Sequence, residues 1–471
     1  MFKKLLALTL TVLMVATLCV SMASCGKKSA DGTEAATEAA TTPKTDAVTD
    51  AATAAGTDAA TAAATDAATA AATDAATDAA TDAATEPATE VVTVDPTLYS
   101  DVKIGFIFLH DENSTYDKNF IDAANRTKAA LGLRDDQVVL RTNIAEGSEC
   151  YETAKELAQA GCDIIFADSF GHEEFMIQAA EEYPDVQFCH ATGTMAHTEE
   201  LDNFHNAFAS IYEGRYLAGV AAGLKLNEMI NAGTITAEQA VIGYVGAWSY
   251  AEVVSGFTSF FLGARSVCPS ATMKVKFTGS WYDLAAEKET AETLINTEHC
   301  VLISQHADSM GAPGACEAAG VPNISYNGST VEACPNTFIV SSAIDWTPYF
   351  EYIINCVVKD EPIATDWTGT IETGSVILSE VNTNAAAAGT VEKIAEVKAK
   401  LLSGEIKVFD TATFTKDGAA LNSYMADVDT DDEYTPDTEV ISDGYFHESE
   451  YRSAPYFDIQ IDGITWLNFA Y

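Results

Sequence analysis

Val241-Ile242-Gly243-Tyr244-Val245 is a short apolar run near the middle of the chain, and what surrounds it decides the fold. A helical period follows at 252–264. Then come a strand pattern at 273–277, a helix at 284–296, a strand at 300–304, a helix at 311–319 and a strand at 322–326. A further strand at 338–344 and a helix at 348–358 close this series. The series restarts one that began earlier. Residues 104–109 are continuously apolar, as in a parallel strand buried on both faces. A helix at 116–131 ends near Gly132, followed by strand 137–141, helix 147–160, strand 163–167, helix 172–182 and strand 186–190. Strand 204–209 and helix 213–224 complete the first half. Repeated βα units build parallel sheets covered on both faces. Two successive runs predict an α/β protein of two doubly wound lobes joined by a hinge. Lobe 1 spans about 99–225 plus a return segment after about 345, and lobe 2 about 226–344. Residues 412–471, rich in Asp, Tyr and Thr, read as short strands that pack on the lobes.

The N-terminal hundred residues have another texture. Lys3 and Lys4 precede a run from Leu5 to Met22 that is almost wholly apolar or small, and Ala23-Ser24-Cys25 follows. A positive start, an apolar stretch and small residues before a cut are a secretory signal, which gives 1–24 as signal peptide. A cysteine directly after the small pair resembles a bacterial lipobox, so Cys25 is the expected lipidation site. Residues 25–98 are mostly Ala, Thr and Asp in repeats such as Ala-Ala-Thr-Asp, with few large apolar residues to bury. Such a segment is expected to be a solvated tether. These features predict a lipid-anchored protein on the outer face of the cell membrane.

The chain of 471 residues carries 25 basic and 70 acidic side chains, a formal net charge of −45. A phosphate backbone would be repelled, which excludes nucleic acid as a partner. Of ten cysteines, Cys19 lies in the signal and Cys25 at its end. The others, at 150, 162, 189, 268, 300, 316, 334 and 356, show no CxxC spacing, so no zinc site is expected. An exported protein can form disulfides, whereas cysteines inside apolar periodic segments behave as small buried hydrophobes. Gly243-Tyr244-Val245-Gly246 lacks the third glycine of a dinucleotide loop. The acidic segment 427–433 has neither the Gly nor the Glu of a calcium loop. No cofactor or metal is expected.

In an open α/β sheet, ligands bind beyond the carboxyl ends of the strands. Four such places carry suitable chemistry. After the first strand, His110 to Phe120 offers a helix cap at Ser114 or Thr115, a ring at Tyr116 or Phe120, and the polar Asp117 and Asn119. After strand 163–167 come Ser169 and Phe170 at a helix start. Gly279-Ser280-Trp281-Tyr282-Asp283 follows strand 273–277, and Gln305-His306-Ala307-Asp308 follows strand 300–304. Asn327 ends strand 322–326. Flat aromatic faces hold planar rings, and Asp283, Asp308 and Asn327 supply hydrogen-bonding groups. Capping and core packing would account for several of these residues without a ligand.

Several of these segments recur together in one order. They are Ile165-Phe166-Ala167-Asp168-Ser169-Phe170-Gly171, Ile211-Tyr212-Glu213-Gly214-Arg215-Tyr216-Leu217-Ala218-Gly219, Gly279-Ser280-Trp281-Tyr282-Asp283 and Gln305-His306-Ala307-Asp308-Ser309. On these motifs the stretch from about 101 to 410 resembles the basic membrane protein family, the purine nucleoside receptor-like lipoproteins that serve ABC transporters. The resemblance implies a type I periplasmic-binding-protein fold over 99–411 with a purine nucleoside, or a related base, between the lobes. It implies that Trp281 stacks on the base, that Tyr116 or Phe120 stacks from the other lobe, and that Asp308 and Asn327 are polar partners. It also implies ABC permease and ATPase subunits as partners. Relatives often carry Phe where Trp281 stands. Two other functions remain open: a secreted nucleoside-acting enzyme using Asp283, His306 and Asp308 as acid and base, and a surface sensor of the same fold.

Overall fold

The computed structural model describes residues 97–199, 201–428 and 438–471. The signal sequence, Cys25, the tether up to residue 96 and residues 429–433 of the acidic segment lie outside the described residues. Among the described residues no helix is long and apolar enough to cross a membrane.

The first half of the alternation forms β1 (Ile104–Ile107), β2 (Val138–Arg141), β3 (Ile164–Ala167), β4 (Gln187–Ala191) and β5 (Phe204–Ala209). The second forms β6 (Val241–Gly246), β7 (Thr272–Phe277), β8 (Leu302–His306), β9 (Asn323–Tyr326) and β10 (Phe338–Ile344). Beyond these lie β11 (Asp366–Gly369) and β12 (Val376–Leu378). Two short antiparallel pairs follow, β13 (Met425–Ala426) with β14 (Thr438–Glu439) and β15 (Ile441–Ser442) with β16 (Tyr445–Phe446). Last comes β17 (Ile464–Trp466).

One sheet has the order β11-β5-β4-β3-β1-β2 and is parallel throughout. The other has the order β12-β10-β9-β8-β6-β7-β17, parallel except for β12. Each sheet reverses its winding beside its first strand, between β1 and β3 and between β6 and β8. A crevice opens at such a switch point. The all-apolar composition of β1 and β3 follows from burial of every residue on both faces.

Helix Thr115–Leu131 ends at Gly132, whose φ of 67° is the left-handed conformation that glycine adopts without penalty. Helix 213–224 of the sequence reading is in fact Ile211–Asn231, and it packs on helix Ala251–Val267. The two approach closely because a Cβ on Gly219 would lie 2.0 Å from the Phe260 carbonyl oxygen, and one on Gly263 2.0 Å from that of Tyr216. This helix therefore rides with the second sheet, and the change of lobe falls at Ser210. Strand 300–304 sits two residues later, as β8. Helix Thr390–Leu402 and strands β11 and β12 have no counterpart in the sequence reading. The cysteines of the described residues are all buried free thiols.

Candidate ligand-binding site

The switch point of the first sheet is organised by Asp117. Ser114 caps helix Thr115–Leu131, and its hydroxyl accepts from the Asp117 backbone N–H at 3.2 Å. The Asp117 carboxylate in turn accepts from the His110 backbone N–H and from the Ser114 hydroxyl, both at 2.6 Å. Burial pushes the Asp117 carboxyl up, but hydrogen bonds from His110 and Ser114 outweigh it and hold the group below its ordinary value. Tyr116, beside it, donates its hydroxyl to the Asp168 carbonyl at 2.7 Å. After β3 the Ser169 hydroxyl donates to Glu146 at 2.6 Å, and the Phe170 ring stands partly exposed. After β4, Thr192 takes φ 68° and turns its hydroxyl inward, where it is buried without a partner.

The second sheet meets these residues with its own strand ends. His306 closes β8 and lies 4.2 Å, ring to ring, from Tyr326 at the end of β9. The His306 Nε2 is 3.3 Å from Glu252 in the first turn of helix Ala251–Val267. Burial pushes the imidazole below its ordinary 6.5, against the pull of Glu252. Asp308 is buried, and its carboxylate accepts from Asn327 at 3.2 Å. Burial, and then the nearby Glu287, Asp117 and Glu252, raise its carboxyl well above the ordinary value. The Asp308 backbone N–H donates to the Trp281 carbonyl at 2.9 Å, tying the two strand ends together.

Together the two groups line a narrow cavity with about 20 Å³ of free room in this closed arrangement. Leu109, His110, Tyr116, Asp117, Ser169, Phe170 and Thr192 line it from the first sheet, and Glu252, Trp281, His306, Asp308 and Tyr326 from the second. The lobes touch across it. Thr115 donates its backbone N–H and hydroxyl to the Asp308 carbonyl at 3.0 and 3.1 Å. His110 faces Tyr282 at 5.3 Å and Phe170 faces Tyr250 at 5.9 Å between ring centres. Among the described residues three acidic side chains line the cavity and no Lys or Arg does. The Tyr326 and Thr192 hydroxyls are both buried and unpaired, and such groups cost free energy until something bonds them.

Six residues expected from the sequence line this cavity: Tyr116, Asp117, Ser169, Phe170, Trp281 and Asp308. Asn327 stands one layer back, held at φ 64° with its amide on Asp308. Phe120 is fully buried behind Tyr116, stacked at 4.5 Å on Trp346, so Tyr116 is the ring that faces the cavity. Asn119 does not reach it, because the cavity extends only to the first turn of that helix. Asp283 is a helix cap, accepting from the Ala285 and Ala286 N–H groups at 3.0 and 2.9 Å. Thr192, Glu252 and Tyr326 escaped the sequence reading. The signal that finds them is the one that found the others, a position at a strand's carboxyl end or in the following first turn.

A family model described as ABC transporter substrate-binding protein, PnrA-like, matches residues 109–412. A purine-binding protein of Brucella abortus (strain 2308) is 31% identical over 326 residues, 68% of this chain and 86% of that one. A putative ABC transporter glucose-binding protein of Haloferax volcanii is 32% identical over 273 residues, 58% of this chain and 66% of that one. Among solved structures, an ABC transporter solute-binding protein from Aeropyrum pernix K1 aligns with 65% of this chain and 93% of its own at TM-score 0.55 and 18% identity. One from Conexibacter woesei DSM 14684 covers 65% and 98% at TM-score 0.51 and 20% identity. The fold is that of the type I periplasmic binding proteins.

Proposed function

We propose that this chain, which belongs to the PnrA-like family of ABC transporter substrate-binding proteins, takes a purine nucleoside or nucleobase in the cavity between its lobes and delivers it to a permease. Family membership makes it a binding protein rather than an enzyme. The observation that carries the ligand reading is the cavity's pairing of an aromatic face, Trp281, with buried carboxylates and unpaired hydroxyls and with no cation. In this reading Trp281 and Tyr116 hold the planar base and Asp308, steadied by Asn327, accepts its N–H or hydroxyl groups. Asp117, Ser169 and Phe170 complete the first-lobe wall. The purine-binding relative supports the same ligand class. We place the anchor at a lipid on Cys25, with residues 26–98 as the tether to the membrane.

The test is calorimetric titration with inosine, guanosine, adenine and glucose. Saturable binding of a purine is expected, and binding of glucose alone would replace the ligand class while leaving the transport role. Trp281→Ala should weaken purine binding by roughly 1–3 kcal/mol, the usual worth of base–aromatic stacking; unchanged affinity in a folded variant removes Trp281 from the site. The charge of the lining makes a second expectation. A phosphate placed beside Asp117 and Glu252 meets like charge and no Lys or Arg, which costs several kcal/mol. Inosine monophosphate should therefore bind roughly a hundredfold or more weaker than inosine, measured by competition at constant ionic strength.

A further inference from the structure

Residues 464–471 lie well beyond the family match, which ends at residue 412, yet they bond the two segments that lead into Trp281 and Glu252 of the cavity lining. β17 adds to the edge of the second sheet in parallel with β7, with Trp466 opposite Val275. The pairing continues past the strand, because Leu467 donates its N–H to the Val275 carbonyl at 2.8 Å. Next, the Asn468 side chain takes over from the backbone. Its Oδ1 accepts from the Phe277 N–H at 2.8 Å and its Nδ2 donates to the Phe277 carbonyl at 2.9 Å. A carboxamide has the donor and acceptor of a peptide group, so it completes both main-chain bonds of the last residue of β7. Trp281 is four residues further on.

Ala470 then engages the neighbouring loop. The Ser249 N–H donates to the Ala470 carbonyl at 2.8 Å, and the Ala470 N–H donates to the Ser249 hydroxyl at 2.9 Å. Ser249 lies between Trp248 and Tyr250, whose rings stack at 5.7 Å with 12° between planes. Tyr250 in turn sits 6.3 Å from Trp281 and 5.9 Å from Phe170. Glu252, which lines the cavity, begins the helix just after this loop. One short segment thus holds two loops, one carrying Trp281 of the cavity lining and the other Tyr250, whose ring lies beside Trp281 and Phe170.

We propose that Asn468–Tyr471 is a positioning arm that sets the orientation of Trp281 and Tyr250, and through them the affinity of the site. The inference rests on the binding role given above. On its inner side the loop from Thr278 to Tyr282 is held by the Thr278 and Gly279 N–H groups on the Gly246 and Ala247 carbonyls, both at 2.9 Å, by bonds of Thr278 with Ser280 and of Ser280 with Tyr282, and by the Trp281 carbonyl on Asp308; on its outer side the Asn468 amide holds its base. Without the amide clamp, Phe277 loses both bonds on its outer edge, the loop is held from the β6 side alone, and the indole is less firmly preset. Pre-organisation of this kind lowers the cost of ordering a side chain on binding.

The experiment is a double-mutant cycle on the full chain with inosine as probe, together with near-ultraviolet circular dichroism of the ligand-free protein. Asn468→Ala is expected to weaken inosine binding by about fivefold in the native background and by under about twofold in the Trp281→Ala background, the non-additivity of residues acting as a unit. The Trp281 band, taken as the difference between native protein and Trp281→Phe, is expected to change in Asn468→Ala. This band needs no ligand, so it tests the arm even if inosine does not bind and the purine reading fails. An unchanged band overturns the proposal. So does an equal loss of affinity in both backgrounds, which would mark a general structural role. Ser249→Ala removes only one link to Ala470 and carries the same test if Asn468→Ala does not fold.

Discussion

Asp308→Ala is expected to weaken purine binding by roughly 1–3 kcal/mol, about 5- to 150-fold, the cost of leaving a buried hydrogen-bonding group unpaired. Asp308 joins more of the site than any other residue. Its main chain links to Trp281 through the N–H and to Thr115 of the other lobe through the carbonyl, and its carboxylate is bonded by Asn327. Alanine keeps the main-chain links and removes only the carboxylate. The loss therefore reports the ligand contact together with the Asn327 bond to the same carboxyl, while the Thr115 links across the lobes persist. Asn327→Ala should show a smaller loss, because Asn327 acts by steadying Asp308. Titration calorimetry on the two variants checks the order, and an Asp308→Ala protein that is folded and binds as the native one does would remove the carboxylate from recognition.

Glu287→Gln is expected to make the protein more stable relative to the native chain as pH rises from about 4.5 to about 7. Glu287 is fully buried under the site, where its carboxylate accepts from the Ser309 N–H at 3.1 Å and the Asp283 N–H at 3.2 Å. Burial raises its carboxyl from the ordinary 4.5 to about 7, against the opposing hydrogen bonds from Ser309. Between those two values the folded protein holds a proton that the unfolded chain has released, so the Glu287 contribution is complete at low pH and lost as pH approaches 7. At 1.36 kcal/mol per pH unit the change is about 3 kcal/mol. Glutamine cannot ionise and does not lose it.

The native profile itself mixes signs. Burial pushes His172, His190 and His205 from 6.5 down to about 4, which favours folding as pH rises through the same window. Glu448, also buried and raised to about 7, adds to the Glu287 side. The difference between variant and native protein isolates one group from this background. Denaturant unfolding of both proteins at pH 5 and pH 8 measures it, and a pH-independent difference would show that Glu287 titrates normally.

The element order was legible because it depends on local pattern. Apolar runs at 104–109 and 163–167, and the helix stop at Gly132, are properties of short segments. The cavity position was legible for a related reason, since strand ends can be read wherever strands can. Trp281 and Asp308 were found in that way. Helix Thr390–Leu402 was missed although its buried Ile394 and Val397 are three apart, because the tail around it breaks the βα alternation.

What the sequence determined by itself is the two βα halves, the family motifs and the loops that carry the site. Only the tertiary structure decided which side chain in each loop faces the cavity. Tyr116 and Phe120 lie four apart on one helix, and packing against Trp346 draws Phe120 inward and leaves Tyr116 at the wall. Asp283 and Asp308 are both acids after strands, and the free N–H groups of helix Leu284–Asn296 claim the first as a cap. The pairing of β17 with β7 joins residues nearly two hundred positions apart. Periodicity encodes a segment's own conformation; its partner across a sheet depends on long-range burial and register, which no local pattern contains.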